Sequence, residues 1–171
     1  RNMVVTKKFN PGTHMEHKAS DKLFIDYAGK TLSIVDKDTR EISEVQFFVA
    51  ILGSGQYTYA EASPTQQKED FIASVENALC FMSGVPAAIV PDNLKSVVKK
   101  SNKYEPTINE TFLDFAEYYQ TTILPARTYK PRDKSLIEGA IRIALRNMVF
   151  YSIDELNKAI WDELDIHTVE S

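Results

Sequence analysis

The stretch Leu23-Phe24-Ile25-Asp26-Tyr27-Ala28-Gly29 is typical of a buried β-strand that carries an acidic residue near its end. A second apolar run, Ala87-Ala88-Ile89-Val90-Pro91-Asp92-Asn93, ends on Asp92 in the same way. Open α/β sheets bind their ligands at the carboxyl ends of such strands. We therefore expect Asp26 and Asp92 to lie at a ligand-binding edge of a sheet.

A third acidic residue, Glu138, lies within the helix-like stretch 134–142. If the three carboxylates converge, they form a hard, oxygen-rich site suited to Mg²⁺ or Mn²⁺. Two such ions, about 3.5–4 Å apart and bridged by one carboxylate (Asp26 is the best candidate), can hold both oxygens of an in-line displacement at phosphorus. Asp26, Asp92 and Glu138 are thus predicted to be both metal ligands and catalytic residues.

The periodicity of apolar residues predicts an α/β fold with the element order β-β-β-α-β-α-β-α. The first three strands would form an antiparallel meander within a mixed five-stranded sheet flanked by helices. Predicted strands lie near 22–28 (with a bent or paired continuation through 31–35), 44–52, 57–62, 85–90 and 121–124. Predicted helices lie near 65–83 and 107–119, from 130–133 onward through Glu138, and from Ser152 onward.

Two helix starts have capping signatures. Ser63-Pro64-Thr65-Gln66 offers a capping hydroxyl, a proline at the first helical position and a glutamine three residues on. Ser152 and Glu155 form a capping box for the last helix, which would bury Leu156, Ile160 and Leu164.

The helix that carries Glu138 is predicted to be amphipathic. At 100° per residue, one face collects the apolar residues Ile137, Ile141, Ala144, Leu145 and Met148. Glu138 lies at the edge of that face, and Arg142 lies further round, toward solvent. The alternative is an ordinary surface pair between Glu138 and Arg142, four residues apart.

The order Asp, Asp, Glu is that of the ribonuclease-H-like polynucleotidyl transferases, which include retroviral integrases and many transposases. Three segments, 21–29, 90–95 and 130–138, resemble the catalytic core of the IstA-type insertion-sequence transposases, and the resemblance runs from about His17 to about Asp165. It implies a ribonuclease-H-like fold, a triad of Asp26, Asp92 and Glu138, and an IstB-type ATPase as partner. Asp133 is a rival to Glu138, although a charge at a helix N-terminus explains it better.

Positive charge is concentrated in the half of the chain that carries Asp92 and Glu138. The formal net charge is −4, yet residues 93–146 hold ten Lys or Arg against six Asp or Glu. A phosphate backbone would be attracted there, with affinity that falls as salt rises; the alternative is a solvated lysine-rich surface. The predicted DNA-binding residues are Asn93, Lys95, Lys99, Lys100, Lys103, Arg127, Lys130, Arg132 and Arg142.

Length and composition favour one globular domain. The 171 residues are 43% hydrophobic and 26% charged, and no apolar run approaches the roughly 20 residues that span a bilayer. Lone Cys80 excludes an internal disulfide, which suits a reducing bacterial cytoplasm.

We expect a linker at 1–20, a catalytic core at 21–167 and a tail at 168–171. His14 and His17, in the linker, have a His-x-x-His spacing, but zinc binding there is disfavoured without nearby cysteines.

These observations predict the catalytic core of a DNA transposase. Water would cleave the element ends, and the freed 3′-hydroxyl would then attack target DNA, with two ions of Mg²⁺ (or Mn²⁺) and self-association in a synaptic complex. Two alternatives stay open: a catalytically inactive DNA- or partner-binding module of the same fold, and a related integrase or nuclease.

Overall fold

The computed structural model describes residues 22–53, 57–91, 98–99, 107–108, 110–124 and 132–170. The predicted linker at 1–20 therefore lies outside the described residues. The strands are β1 (Lys22–Tyr27), β2 (Leu32–Val35), β3 (Ile42–Leu52), β4 (Thr58–Ser63), β5 (Ala88–Pro91), β6 (Val98–Lys99), β7 (Thr107–Ile108) and β8 (Thr122–Ile123). The helices are α1 (Lys68–Met82), α2 (Glu110–Tyr119), α3 (Arg132–Leu145) and α4 (Ile153–Glu170).

Six strands form one mixed sheet, in the order β2-β3-β1-β5-β8, with β4 also paired to β3. Strand β3 is antiparallel to β1, β2 and β4, whereas β1, β5 and β8 are parallel to one another. The predicted mixed α/β sheet flanked by helices is confirmed. It has six strands rather than five because Leu32–Val35 form a separate strand, paired with the start of β3, instead of continuing β1.

Apolar side chains on the two faces of this sheet form two cores. On one face, residues of β1, β3 and β5 pack against α1 and α2 in a cluster that includes Leu23, Phe48, Phe71 and Phe112. On the other face, a second cluster joins the sheet to α3 and α4. That cluster includes Phe47, Val49, Ile141, Leu156 and Ile160. Because β3 is central and covered on both sides, its residues Phe47 to Leu52 are all buried.

Helix α1 begins later than its capping signature predicted. It starts at Lys68 with Gln67 as N-cap, and no side-chain hydrogen bond caps it. Ser63 cannot serve as the cap because it belongs to β4, where it pairs with Gln46. The Thr65 hydroxyl instead donates to Asp70 Oδ2 at 2.5 Å and accepts from the Gln67 N–H at 3.1 Å. The predicted end of the helix near residue 83 is confirmed, since α1 ends at Met82 and Ser83 follows in the left-handed region at φ 58°.

Of the three later helices, α2 and α3 differ from prediction at one end, whereas α4 starts as predicted. Helix α2 starts at Glu110 rather than at Thr107, because Thr107–Ile108 pair with Val98–Lys99 as a small antiparallel sheet. Helix α3 ends at Leu145, so Met148 follows the helix and is 54% exposed instead of buried. The start of α4 is as predicted, since the Glu155 N–H donates to Ser152 Oγ at 3.1 Å. The three residues predicted to be buried in α4, Leu156, Ile160 and Leu164, are buried.

Candidate active site

Asp26 lies in the middle of the sheet on the face covered by α3 and α4. It is half-buried in β1 and pairs directly with Val49 of β3, whose side chain belongs to the α3–α4 cluster. Paired residues of neighbouring strands point to the same face of a sheet. Its neighbours Ile25 and Tyr27 point the other way, into the α1–α2 core. Asp26 Oδ1 accepts a hydrogen bond of 2.8 Å from the Tyr27 N–H.

Strand β5 is positioned so that its end adjoins Asp26. The two strands are parallel, with Leu23 beside Ile89 and Ile25 beside Pro91. Pro91, the last residue of β5, directly precedes Asp92 in the sequence. Asp92 itself lies outside the described residues, so its role as ligand stays a prediction.

Glu138 belongs to a helix that packs on this face. It lies in α3 and is half-buried. One turn further on, Ile141 is fully buried among the side chains of the α3–α4 cluster, which includes Phe47 and Val49 of β3. The packing of Ile141 therefore holds α3 against the sheet face on which Asp26 lies. Asp26 therefore lies on the sheet face that is covered by α3, the helix that carries Glu138.

Arg142 does not face solvent as the helical periodicity predicted. It is half-buried, and its Nη1 donates to the Thr31 carbonyl oxygen at 3.2 Å. Its Nη2 donates to the neighbouring carbonyl oxygen of Lys30. The guanidinium carbon lies 5.3 Å from the centre of the Phe47 ring, within cation–π range. The side chain is thus engaged by the turn between β1 and β2, while its predicted contact with DNA stays a prediction.

Of the other predicted DNA-binding residues, only Lys99 and Arg132 lie in the described ranges. Lys99 belongs to β6 and pairs with Thr107, and Arg132 is the first residue of α3. The remaining residues lie outside the described residues: Asn93, Lys95, Lys100, Lys103, Arg127 and Lys130. DNA contact by this set therefore stays a prediction.

The donor set fits a divalent cation of the hard class. Asp26 and Glu138 offer carboxylate oxygens, the ligands that Mg²⁺ and Mn²⁺ prefer, and both are half-buried. Within the described parts of the chain, no group of three His, Cys, Asp or Glu side chains is close enough to hold a metal ion. A complete site would require Asp92. The rival ligand Asp133 is the second residue of α3.

A buried carboxylate that no sequence pattern indicated, that of Glu61 in β4, lies on the opposite side of the sheet. It accepts hydrogen bonds from Tyr59 Oη at 2.5 Å, Ser74 Oγ at 2.6 Å and Asn77 Nδ2 at 2.8 Å. Burial raises the pKa of Glu61 above its ordinary value, while these donors act to lower it. Glu61 is buried, and it pairs with Phe48 of the α1–α2 core, so it lies on the sheet face opposite to Asp26.

The structure resembles known catalytic cores of integrases. The integrase catalytic core domain of HTLV-2, in a structure with magnesium, matches with a TM-score of 0.53 and 14% identity, over 84% of this chain and 87% of that one. A simian T-cell lymphotropic virus intasome chain matches with the same TM-score at 12% identity, over 84% and 48% of the two chains. The fold is therefore that of the integrase catalytic cores, a ribonuclease-H-like fold.

Sequence comparison gives the family. A protein of Sinorhizobium fredii named as a transposase is 46% identical over 156 residues, covering 87% of this chain and 30% of the relative. The protein named as the transposase of insertion sequence IS408, from Burkholderia multivorans, is 40% identical over 161 residues, covering 90% and 31%. This chain is therefore an insertion-sequence transposase homologue, and it spans about three tenths of the length of these relatives. No protein-family model matches it.

No α-helix in the described ranges is both long enough and apolar enough to cross a bilayer.

Proposed function

We propose that this chain is the catalytic core of a DNA transposase in which Asp26, Asp92 and Glu138 form a metal-binding triad for polynucleotidyl transfer. One observation carries the proposal: the parallel strands that lead to Asp26 and Asp92 are adjacent and in register at Ile25 and Pro91. The helix that carries Glu138 packs on the sheet face of Asp26. The fold of integrase catalytic cores and the transposase relatives support the same reading.

Each of the three carboxylates would have its own place in the proposed metal site. Asp26 and Asp92 would present carboxylates from the rigid edge of two paired strands, and Glu138 would close the site from α3. When bound, two Mg²⁺ ions would lower the pKa of a coordinated water or 3′-hydroxyl and stabilise the charge that develops at phosphorus. The half-buried setting of Asp26 and Glu138 would limit access of bulk water, which strengthens electrostatic interactions at the site. The reaction sequence would be end cleavage by water and then attack of the 3′-hydroxyl on target DNA.

The proposed partners follow from this chemistry and from the relatives. Double-stranded DNA would bind along the basic half of the chain, through residues that include Lys99, Arg132 and their neighbours in the sequence. Two element ends must be brought together, so we propose self-association in a synaptic complex; an intasome is among the similar structures. An IstB-type ATPase would select the target. A bacterial cytoplasm is the expected compartment, as the transposase relatives are bacterial.

The test is an assay of end cleavage and strand transfer by the complete protein that carries this sequence. Asp26→Asn, Asp92→Asn and Glu138→Gln each keep the shape of the side chain but remove the charge that would hold the cations. Each variant should lose about a hundredfold to a thousandfold in rate, as expected when a group that stabilises the transition state is removed. Asp114→Asn is the matched control, because Asp114 is exposed on α2, on the opposite face of the sheet.

Near-normal activity in Asp26→Asn would refute the assignment. If wild-type protein bound DNA but neither cleaved nor joined it with Mg²⁺ or Mn²⁺, the chain would instead be a binding module of the same fold. Cleavage without joining would indicate a nuclease.

A further inference from the structure

Arg142 joins the helix of Glu138 to the turn that follows the strand of Asp26. Its guanidinium donates two hydrogen bonds to consecutive carbonyl oxygens, those of Lys30 and Thr31, across more than 100 residues of sequence. The aromatic ring of Phe47 lies beneath the same guanidinium. Arginine is suited to this arrangement because its planar fork can reach two acceptors while its face stacks on a ring.

The two ends of this contact are close in sequence to Glu138 and Asp26, the two proposed metal ligands that the structure describes. Arg142 follows Glu138 by one helical turn, and Lys30 follows Asp26 by four residues. The turn is itself anchored, since the Ala28 N–H donates to the Phe47 carbonyl oxygen at 2.8 Å. Phe47 is fully buried. A movement of α3 along or away from the sheet would therefore have to break the Arg142 contacts.

We propose that Arg142 is a positioning residue, which fixes the distance between Glu138 and Asp26 and thereby the geometry of the metal site. This inference rests on the proposed function. It gives Arg142 a different role from the phosphate contact that the charge pattern predicted. A phosphate contact would need the guanidinium to leave the two carbonyl oxygens and the Phe47 ring.

The experiment compares Arg142→Ala, Arg142→Lys and Arg146→Ala in the complete protein. The Lys variant keeps the charge but not the two-pronged hydrogen bonding. Arg146 is the matched control, an exposed arginine one turn further along the same chain segment. Four quantities are measured: the strand-transfer rate, its dependence on Mg²⁺ concentration, Mn²⁺ affinity by calorimetry in the presence of DNA, and DNA affinity as a function of salt. Thermal unfolding shows whether each variant is folded.

A positioning role predicts a rate about 10- to 100-fold lower in Arg142→Ala, since a displacement of about 1 Å can cost about two orders of magnitude. The Mg²⁺ concentration for half-maximal rate should rise, Mn²⁺ affinity should fall, and the salt dependence of DNA binding should stay unchanged. Arg142→Lys should recover part of the rate, and Arg146→Ala should match wild type.

Two results would overturn the inference. A salt slope lowered by about one unit, with Mg²⁺ dependence unchanged, would identify a phosphate contact instead. A lower unfolding temperature with unchanged rate and metal affinity in the folded fraction would reduce Arg142 to a structural contact. If Arg142→Ala does not fold, the rate, metal dependence and salt slope of Arg142→Lys test the positioning role instead.

Asp26→Asn is assayed alongside, so that the two proposals can fail separately. If Asp26→Asn retains activity, the proposed function fails. If Asp26→Asn is inactive while Arg142→Ala and Arg142→Lys behave as wild type, only the positioning role fails.

Discussion

Ile25 and Pro91 lie side by side in the parallel strands β1 and β5, and each directly precedes an aspartate of the proposed triad. Parallel neighbours end at the same edge of a sheet, and ligands of α/β proteins bind at that edge. The pairing therefore fixes Ile25 and Pro91, the residues before the first two proposed ligands, in neighbouring strands joined by backbone hydrogen bonds. Sites built on such rigid elements keep their geometry more precisely.

The site should discriminate among divalent ions. We expect Mg²⁺ and Mn²⁺ to support end cleavage and strand transfer, and Ca²⁺ to permit DNA binding with little turnover. Ca²⁺ coordinates at longer distances and with looser geometry, so it would misplace the reacting oxygens. The measurement is a comparison of rate and DNA affinity in the three ions. Turnover with Ca²⁺ equal to that with Mg²⁺ would argue against a two-metal site of this kind.

The basic half of the chain should bind DNA through phosphate contacts. A triple variant, Lys99→Ala/Lys100→Ala/Arg132→Ala, should weaken binding equally on all sequences, because phosphates position a duplex without identifying its bases. Each lost contact should flatten the slope of log K against log [salt] by about one unit. Lys158→Ala is the control, since Lys158 is exposed on α4. An unchanged slope in the triple variant would assign these residues to a solvated surface.

The sheet and the positions of Asp26 and Glu138 on its elements could be predicted because they depend on local patterns. The apolar run around Asp26 and the helical spacing of Ile137, Ile141 and Leu145 are each visible within a few residues of sequence. The register that places Ile25 beside Pro91 joins segments far apart in the sequence and is visible only in the structure.

The rest depends on contacts between distant parts of the chain. A helical wheel places Arg142 relative to Ile141, but it does not show the carbonyl oxygens of Lys30 and Thr31, which lie over 100 residues earlier. The segment Ser63-Pro64-Thr65-Gln66 has the sequence of a helix start, yet Ser63 pairs with Gln46 and is part of β4. Glu61 looks like the polar position of a half-exposed strand, whereas α1 and α4 cover both faces of β4.

The outer edge of β4 should depend on Asn157 of α4. Asn157 Oδ1 accepts from the Ala62 N–H at 2.5 Å, and its Nδ2 donates to the Ala62 carbonyl oxygen at 3.3 Å. Asn157→Ala should lower the free energy of unfolding by about 1–3 kcal/mol, because it leaves two buried backbone groups without these partners. Denaturant unfolding measures the loss, with Lys158→Ala as a control expected to stay within about 0.5 kcal/mol of wild type. Equal stability of the two variants would show that another group, such as water, replaces the asparagine.

Glu61 should make the free energy of unfolding fall as pH rises, whereas a carboxylate paired with a cation makes it rise. Burial raises the folded-state pKa of Glu61, to which the charge of Asp70 also contributes. A group whose folded pKa is raised stabilises the protein fully below its unfolded pKa, about 4.3, and that contribution is lost as pH rises through the folded value. Glu61→Gln should remove this decline, because its amide oxygen can still accept from Tyr59 and Asn77 while its NH₂ donates to Ser74 Oγ. Free energies of unfolding measured from acidic to neutral pH should therefore converge at low pH and favour the Gln variant near neutrality. A wild-type advantage that grows with pH would mean that the three donors outweigh burial, and that Glu61 is a stabilising anion.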